Sequence, residues 1–127
     1  MKISHLAIYT TQLEVMKKFY VKYFKAIPND KYTNIKKGFN SYFLHFDGEC
    51  RLELMQMVDI NERSILENIC GIHHFAISVG SKTNVDLLTN ILREDGYSIT
   101  GEPRRTGDGY YESVVLDPDG NNIEITT

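Results

Sequence analysis

"GIHHFAISV", Gly71–Val79, alternates apolar and polar residues in the manner of a half-buried β-strand. Successive strand side chains point to opposite faces, so His73 and His74 cannot serve one surface. A second stretch decides between them. "SHLAIYT", Ser4–Thr10, resembles "HHFAISV", His73–Val79, and superposing the two sets His5 on His74, an offset of 69 (74 − 5). His74 is therefore the residue that repeats. His73 falls on the Phe75 side at the very start of the strand, where an edge or capping role is expected.

Working outward, each strand is followed by a helical pattern. In "TQLEVMKKFYVKYF", Thr11 and Glu14 have the spacing of a capping box, and Leu13, Met16, Tyr20 and Phe24 form an apolar stripe that Pro28 prevents from continuing. In "KTNVDLLTNILREDG" the stripe is Val85, Leu88, Ile91 and Leu92, and Gly96 suits a C-terminal cap. Strand-like segments come next. The first half has "SYFLHF", a turn at Asp47-Gly48 and "CRLELMQM"; the second has "YSIT", a polar loop "GEPRRTGDG", "YYESVVL", a "DPDG" turn and "NNIEIT". "RLELM" matches "NIEIT" and sets Glu53 on Glu124, an offset of 71 (124 − 53), which one loop length reconciles with the first. The expected fold is α+β: two βαβββ modules forming a cupped, mostly antiparallel mixed sheet. Module 1 covers about 1–57, a linker with a short helix capped by Ser64 and Glu67 about 58–70, and module 2 about 71–127. They make one domain of 127 residues, or modules exchanged across a dimer.

Alternation then sorts the faces. Leu6 and Ile8, Leu52 and Leu54, Phe75 and Ile77, and Ile123 and Ile125 suit packing under a helix. The opposite faces carry His5, Glu53, His74 and Glu124, one per strand. A lone strand histidine or glutamate is most often structural or solvated. Here the pair recurs in the same order at separations of 48 (53 − 5) and 50 (124 − 74). Imidazole and carboxylate together suit Ni, Co, Fe, Mn or Zn, and a metal offsets the cost of two half-buried carboxylates. His45 has no histidine at the matching place in the second half and stays outside this set.

The bulk properties exclude several classes. A net charge of −3 argues against a general nucleic-acid binder. No apolar run approaches the ~18 residues of a membrane span, and the N-terminus has no signal-peptide core. Two cysteines, Cys50 and Cys70, fit a reduced cytoplasmic protein.

"DPDGNNIEI", "FYVKYF", "HLAIYT" and "HHFAISV" resemble the vicinal oxygen chelate superfamily, which includes glyoxalase I, bleomycin-resistance proteins, methylmalonyl-CoA epimerase and extradiol dioxygenases. Its four ligand positions fall on His5, Glu53, His74 and Glu124, a set most similar to that of glyoxalase I. The resemblance implies one divalent metal per site (Ni, Co, Zn, Mn or Fe), a small-molecule substrate, a thiol co-substrate such as glutathione, and a homodimer. It implies lyase or isomerase chemistry on vicinal oxygens, lactoylglutathione lyase-like, through an enediolate. Glu124 is the implied base and Glu53 its symmetric alternative. Arg51, Arg104 and Tyr111 are the substrate contacts considered, with Arg51 beside Glu53 and the others in or after the polar loop. Two departures stand out: the family helix often ends in Leu-Gly where this chain has Phe24-Lys25, and no set of glutathione-binding positions is legible. The alternative function is a metal-free drug- or antibiotic-binding protein of the bleomycin-resistance type. On the metal reading, His74→Ala should lower metal affinity greatly and His73→Ala should leave it nearly unchanged.

Overall fold

The two related stretches form the edge strands β1 (His5–Tyr9) and β6 (His74–Ser78) of two separate sheets. The computed structural model describes residues 2–60, 70–107 and 109–127. The chain divides into two compact units, Met1–Ile65 and Leu66–Thr127. The short helix expected around Ser64 and Glu67 lies outside the described residues.

In the first unit β1 is followed by α1 (Leu13–Phe24), two short strands β2 (Ile27–Pro28) and β3 (Tyr32–Asn34), then β4 (Phe39–His45) and β5 (Arg51–Met57). The sheet order is β1-β5-β4-β2, with β3 also on β4. In the second unit β6 is followed by α2 (Lys82–Glu94), β7 (Ile99–Arg105), β8 (Tyr111–Leu116) and β9 (Asn122–Thr126), in the order β6-β9-β8-β7. Each sheet is mixed, and β1/β5 and β6/β9 are its parallel pairs. The helix between β1 and the rest supplies the crossover that a parallel neighbour requires.

Register shows the repeat directly. Ala7 pairs with Glu53, which pairs with Phe43; Ala76 pairs with Glu124, which pairs with Val114. The same offsets, 69 and 71, carry each row of the first sheet onto a row of the second. The α+β architecture of two related modules is thus as expected, with β2 and β3 added to the first.

One face of each sheet is covered by its helix. Leu13, Met16, Phe19, Tyr20 and Tyr23 of α1 are buried, as are Leu44, Leu52 and Leu54 of the strands beneath. Val85, Thr89 and Leu92 of α2 are buried with Val115, Ile123 and Ile125. Thr89 takes the place expected of a larger apolar residue, and Ile91 stays 42% exposed. The Thr89 hydroxyl donates to the Val85 carbonyl at 2.6 Å and accepts from Ser113 at the same distance, so a polar pair sits in the core fully satisfied.

Three local expectations are corrected. Thr11 and Glu14 do not form a capping box: the Thr10 hydroxyl accepts from the Gln12 N–H at 2.9 Å, and the Gln12 side chain makes no cap. Helix α1 ends four residues before Pro28, because Lys25 adopts a left-handed conformation (φ 54°) and its N–H returns to the Tyr20 carbonyl. Most of the supposed loop "GEPRRTGDG" is strand: Gly101–Arg105 belong to β7, paired with β8 through two register shifts. An edge strand with bulges tolerates Pro103, whose missing N–H costs no ladder bond on an open side. Gly96 does terminate α2 in a left-handed conformation (φ 88°).

Glu14 is engaged elsewhere. Its carboxylate takes Lys17 one helical turn on, Lys31 at 3.1 Å and the Tyr42 hydroxyl at 2.9 Å. The Lys17 hydrogen bond, followed by those of Lys31 and Tyr42, lowers its pKa from 4.5 to about 2 against an opposing desolvation. A depressed carboxylate contributes stability above its unfolded pKa and loses it as pH falls through the folded one. Between pH 4.5 and 2 the protein should therefore lose stability that Glu14→Gln lacks at every pH. Glu14 is 47% exposed, so solvent screening holds the effect near the ~1 kcal/mol of surface pairs. Urea midpoints of both forms at pH 7 and pH 2.5 check this; equal acid sensitivity would remove the role assigned to Glu14.

Candidate functional site

The faces turned away from the helices carry the repeated residues. On the first sheet His5 is level with Arg51 and, two residues along, Ala7 is level with Glu53. That diagonal step places His5 Nε2 3.9 Å from Glu53 Oε2. On the second sheet His74 is level with Asn122 and Ala76 with Glu124, and His74 Nε2 lies 3.5 Å from Glu124 Oε2. The two pairs also match in exposure. The carboxylates retain 15% and 18% and the imidazoles 42% and 41%, so each pair is a sheltered acid beside an accessible ring. The residues level with the two carboxylates, Ala7 and Ala76, are small.

A metal bound to nitrogen and oxygen at ~2.1 Å separates them by about 3 Å at a right angle and about 4.2 Å across the ion. Both observed separations fall in that interval, so the donor types and spacing fit a divalent ion. Among the described residues no three His, Cys, Asp or Glu side chains converge, and each unit holds a pair.

The residues considered for substrate separate by face. Arg51 lies on the His5 face, where Nη2 donates to the Ser4 hydroxyl at 3.3 Å and the guanidinium stacks 4.6 Å over Phe43. Phe43 in turn meets the His5 ring edge-on at 5.5 Å. Arg104 lies on the Glu124 face, level with Glu112, to which its Nη2 donates at 3.3 Å. Gly101 makes room for it: an added Cβ would come within 3.1 Å of Arg104 Nη1 and 3.0 Å of Val114. Tyr111 points the other way. Its hydroxyl donates to Asp86 of α2 at 2.7 Å, and Lys82 stacks on its ring. The hydrogen bond to Asp86 raises the Tyr111 pKa. Alternation gives the Glu124 face to Glu112 and Val114, which excludes Tyr111 from it.

One neighbour of the pairs escaped the sequence reading, and two others that it set outside the ligand set stand next to them. Glu112 is buried on the Glu124 face, and the alternation of "YESVVL" carries that signal. His45 is level with Arg51 and so stands in the His5 row. His73 stands immediately before edge strand β6, at the strand start where it was expected, and its Nδ1 sits 2.8 Å from His74 Nδ1, with the rings nearly perpendicular. Strand alternation cannot predict that contact, because β6 begins only at His74.

Two sheets with this internal repeat, each carrying one His/Glu pair, define the class. The chain belongs to the Glyoxalase/Bleomycin resistance protein/Dioxygenase superfamily, whose family profile matches residues 2–125. The uncharacterized protein YqjT of Bacillus subtilis (strain 168) is 26% identical over 127 residues, covering 97% of this chain and 96% of its own length. Among solved structures, glyoxalase I of Zea mays superposes with a TM-score of 0.82 at 24% identity over 98% of this chain, which spans only 44% of the maize chain. The trypanothione-dependent glyoxalase I of Leishmania major gives 0.79 at 23% identity, covering all of this chain and 86% of that one. A glyoxalase family protein from Enterococcus faecalis gives 0.79 at 23% identity, covering 99% and 97%. Likeness at these identities establishes the fold.

Proposed function

We propose that this chain is a divalent-metal-dependent lyase or isomerase of the glyoxalase I type, acting on a small substrate with two adjacent oxygens. The observation that carries the reading is the twice-built pair: His5 with Glu53 and His74 with Glu124, alike in register, separation and exposure. His5, Glu53, His74 and Glu124 are the proposed ligands of a divalent ion, Ni, Co, Zn, Mn or Fe. When bound, the ion supplies a Lewis acid for negative charge developing on the substrate oxygens. Glu124 moves the proton on the neighbouring carbon as general base, and Glu53 is the symmetric candidate. Arg104, held by Glu112 on the Glu124 face, offers its remaining N–H groups to an anionic part of the substrate. Arg51 does the same more weakly, since Ser4 and Phe43 already hold it.

In this reading residues 1–127 act as one domain, module 1 joined to module 2 through the linker at about 58–70, and the protein works as a homodimer in the cytoplasm. The exposed free thiols of Cys50 and Cys70 suit that reducing compartment. No helix among the described residues is long and apolar enough to cross a membrane.

The test is turnover of methylglyoxal mixed with glutathione and other small thiols, by protein stripped with chelator and then reloaded with each metal. Activity that appears only on reloading supports the reading. Stoichiometric small-molecule binding without any metal dependence would replace it with a binding protein of the bleomycin-resistance type.

A further inference from the structure

Each histidine of the two pairs is approached at Nδ1 by the side chain of the residue immediately before it. His73 Nδ1 stands 2.8 Å from His74 Nδ1, and Ser4 Oγ stands 3.5 Å from His5 Nδ1. Ser4 and His73 are themselves related by the offset of 69. The arrangement therefore occurs twice with different chemistry, a hydroxyl in one unit and an imidazole in the other. Both preceding residues are anchored. The His73 carbonyl accepts from Asn122 Nδ2 at 3.3 Å, which ties it to β9, and Ser4 Oγ accepts from Arg51 Nη2. In both units the opposite ring nitrogen, Nε2, is the one facing the glutamate.

We infer that His73 is a positioning residue: its hydrogen bond at Nδ1 holds the His74 ring so that Nε2 is presented beside Glu124, with Ser4 doing the same more weakly for His5. An imidazole on a strand can turn about its last torsion, which is broad and roughly two-fold, and so can offer either nitrogen to the site. A partner fixed on one nitrogen removes that freedom, and the other nitrogen becomes the ligand. A contact of 2.8 Å is a full hydrogen bond, with one ring donating and the other accepting, whereas 3.5 Å is at the limit. The stronger restraint therefore acts on His74. The inference rests on the reading of His74 as a ligand, and it replaces the sequence-based expectation that His73→Ala leaves metal affinity nearly unchanged.

Asparagine places an oxygen where histidine places Nδ1, so the variants His73→Ala, His73→Phe and His73→Asn separate a polar contact from bulk. In the metal-free protein, ¹³C relaxation of the His74 ring should give an order parameter near the ~0.85 of rigid backbone. It should fall below ~0.6 in His73→Ala and His73→Phe and return in His73→Asn. Titration with Co(II), followed by its visible absorption, should show affinity weakened about 10- to 100-fold in Ala and Phe, and rescue in Asn. A His74 ring equally ordered in all four proteins, or Asn behaving like Phe, overturns the inference. The metal reading fails separately: absence of Co(II) binding by the unmodified protein would remove it, while the ring measurement would still decide what His73 does.

Discussion

Replacing His74 by alanine is expected to release the metal. Protein stripped with chelator and reloaded should hold about one divalent ion per chain, and His74→Ala should bind it more than ~100-fold more weakly, beyond what loss of a hydrogen-bonded neighbour of a ligand costs. The imidazole is the partner of a carboxylate that is only 18% exposed. Without it Glu124 offers one donor where the unit offered two. The fold should not suffer, because the His74 side chain is 41% exposed and is not part of the buried core. Its unfolding free energy should stay within ~0.5 kcal/mol of the unmodified protein. His5→Ala should behave alike, since the repeat gives the first unit the same pair. Elemental analysis after dialysis and Co(II) titration measure both. A stable His74→Ala protein that keeps its metal would show that the pair is a structural ion pair and end the lyase reading.

The second large effect concerns the base. Glu124→Gln keeps the shape and one oxygen donor but cannot accept a proton at neutral pH. Metal content at saturating Co(II) should be retained, while kcat should fall by ~10²–10⁴, the usual contribution of a positioned general base. Glu53→Gln is the matched comparison, because the two carboxylates share register, distance and exposure to within a few tenths of an ångström and a few per cent. What separates them is their surroundings. Glu124 shares its face with Glu112 and Arg104, whereas Glu53 shares its own with Phe43 and Arg51. A charged residue pair next to the base suits a polar substrate better than an aromatic ring does. If Glu53→Gln lost kcat and Glu124→Gln kept it at equal metal content, the roles would be exchanged; full turnover in both would take proton transfer away from either carboxylate.

Periodicity alone carries the repeat, the two opening strands, the two helices and the faces on which the four residues lie. These follow from periodicity, and a period of two or of 3.6 is written in the order of residues whatever the rest of the chain does. Alternation separated Glu53 and Glu124 from their apolar neighbours, and the match to His5 separated His74 from His73. Tertiary structure decided what periodicity does not encode. "GEPRR" became strand because β8 offered it a partner, although glycine, proline and paired charges read locally as loop. Tyr111 went to Asp86 on α2, and Glu112 took the place beside Glu124, because the register of β8 against β9 fixed which side of the strand meets the helix. Glu14 left the helix end for Lys17, Lys31 and Tyr42, two of which lie far along the chain and arrive only when α1 packs on β4. The contact between the two histidine rings belongs to the same class. It depends on where β6 starts and how β9 holds the His73 carbonyl, and such placement is a property of paired strands in space rather than of residues in order.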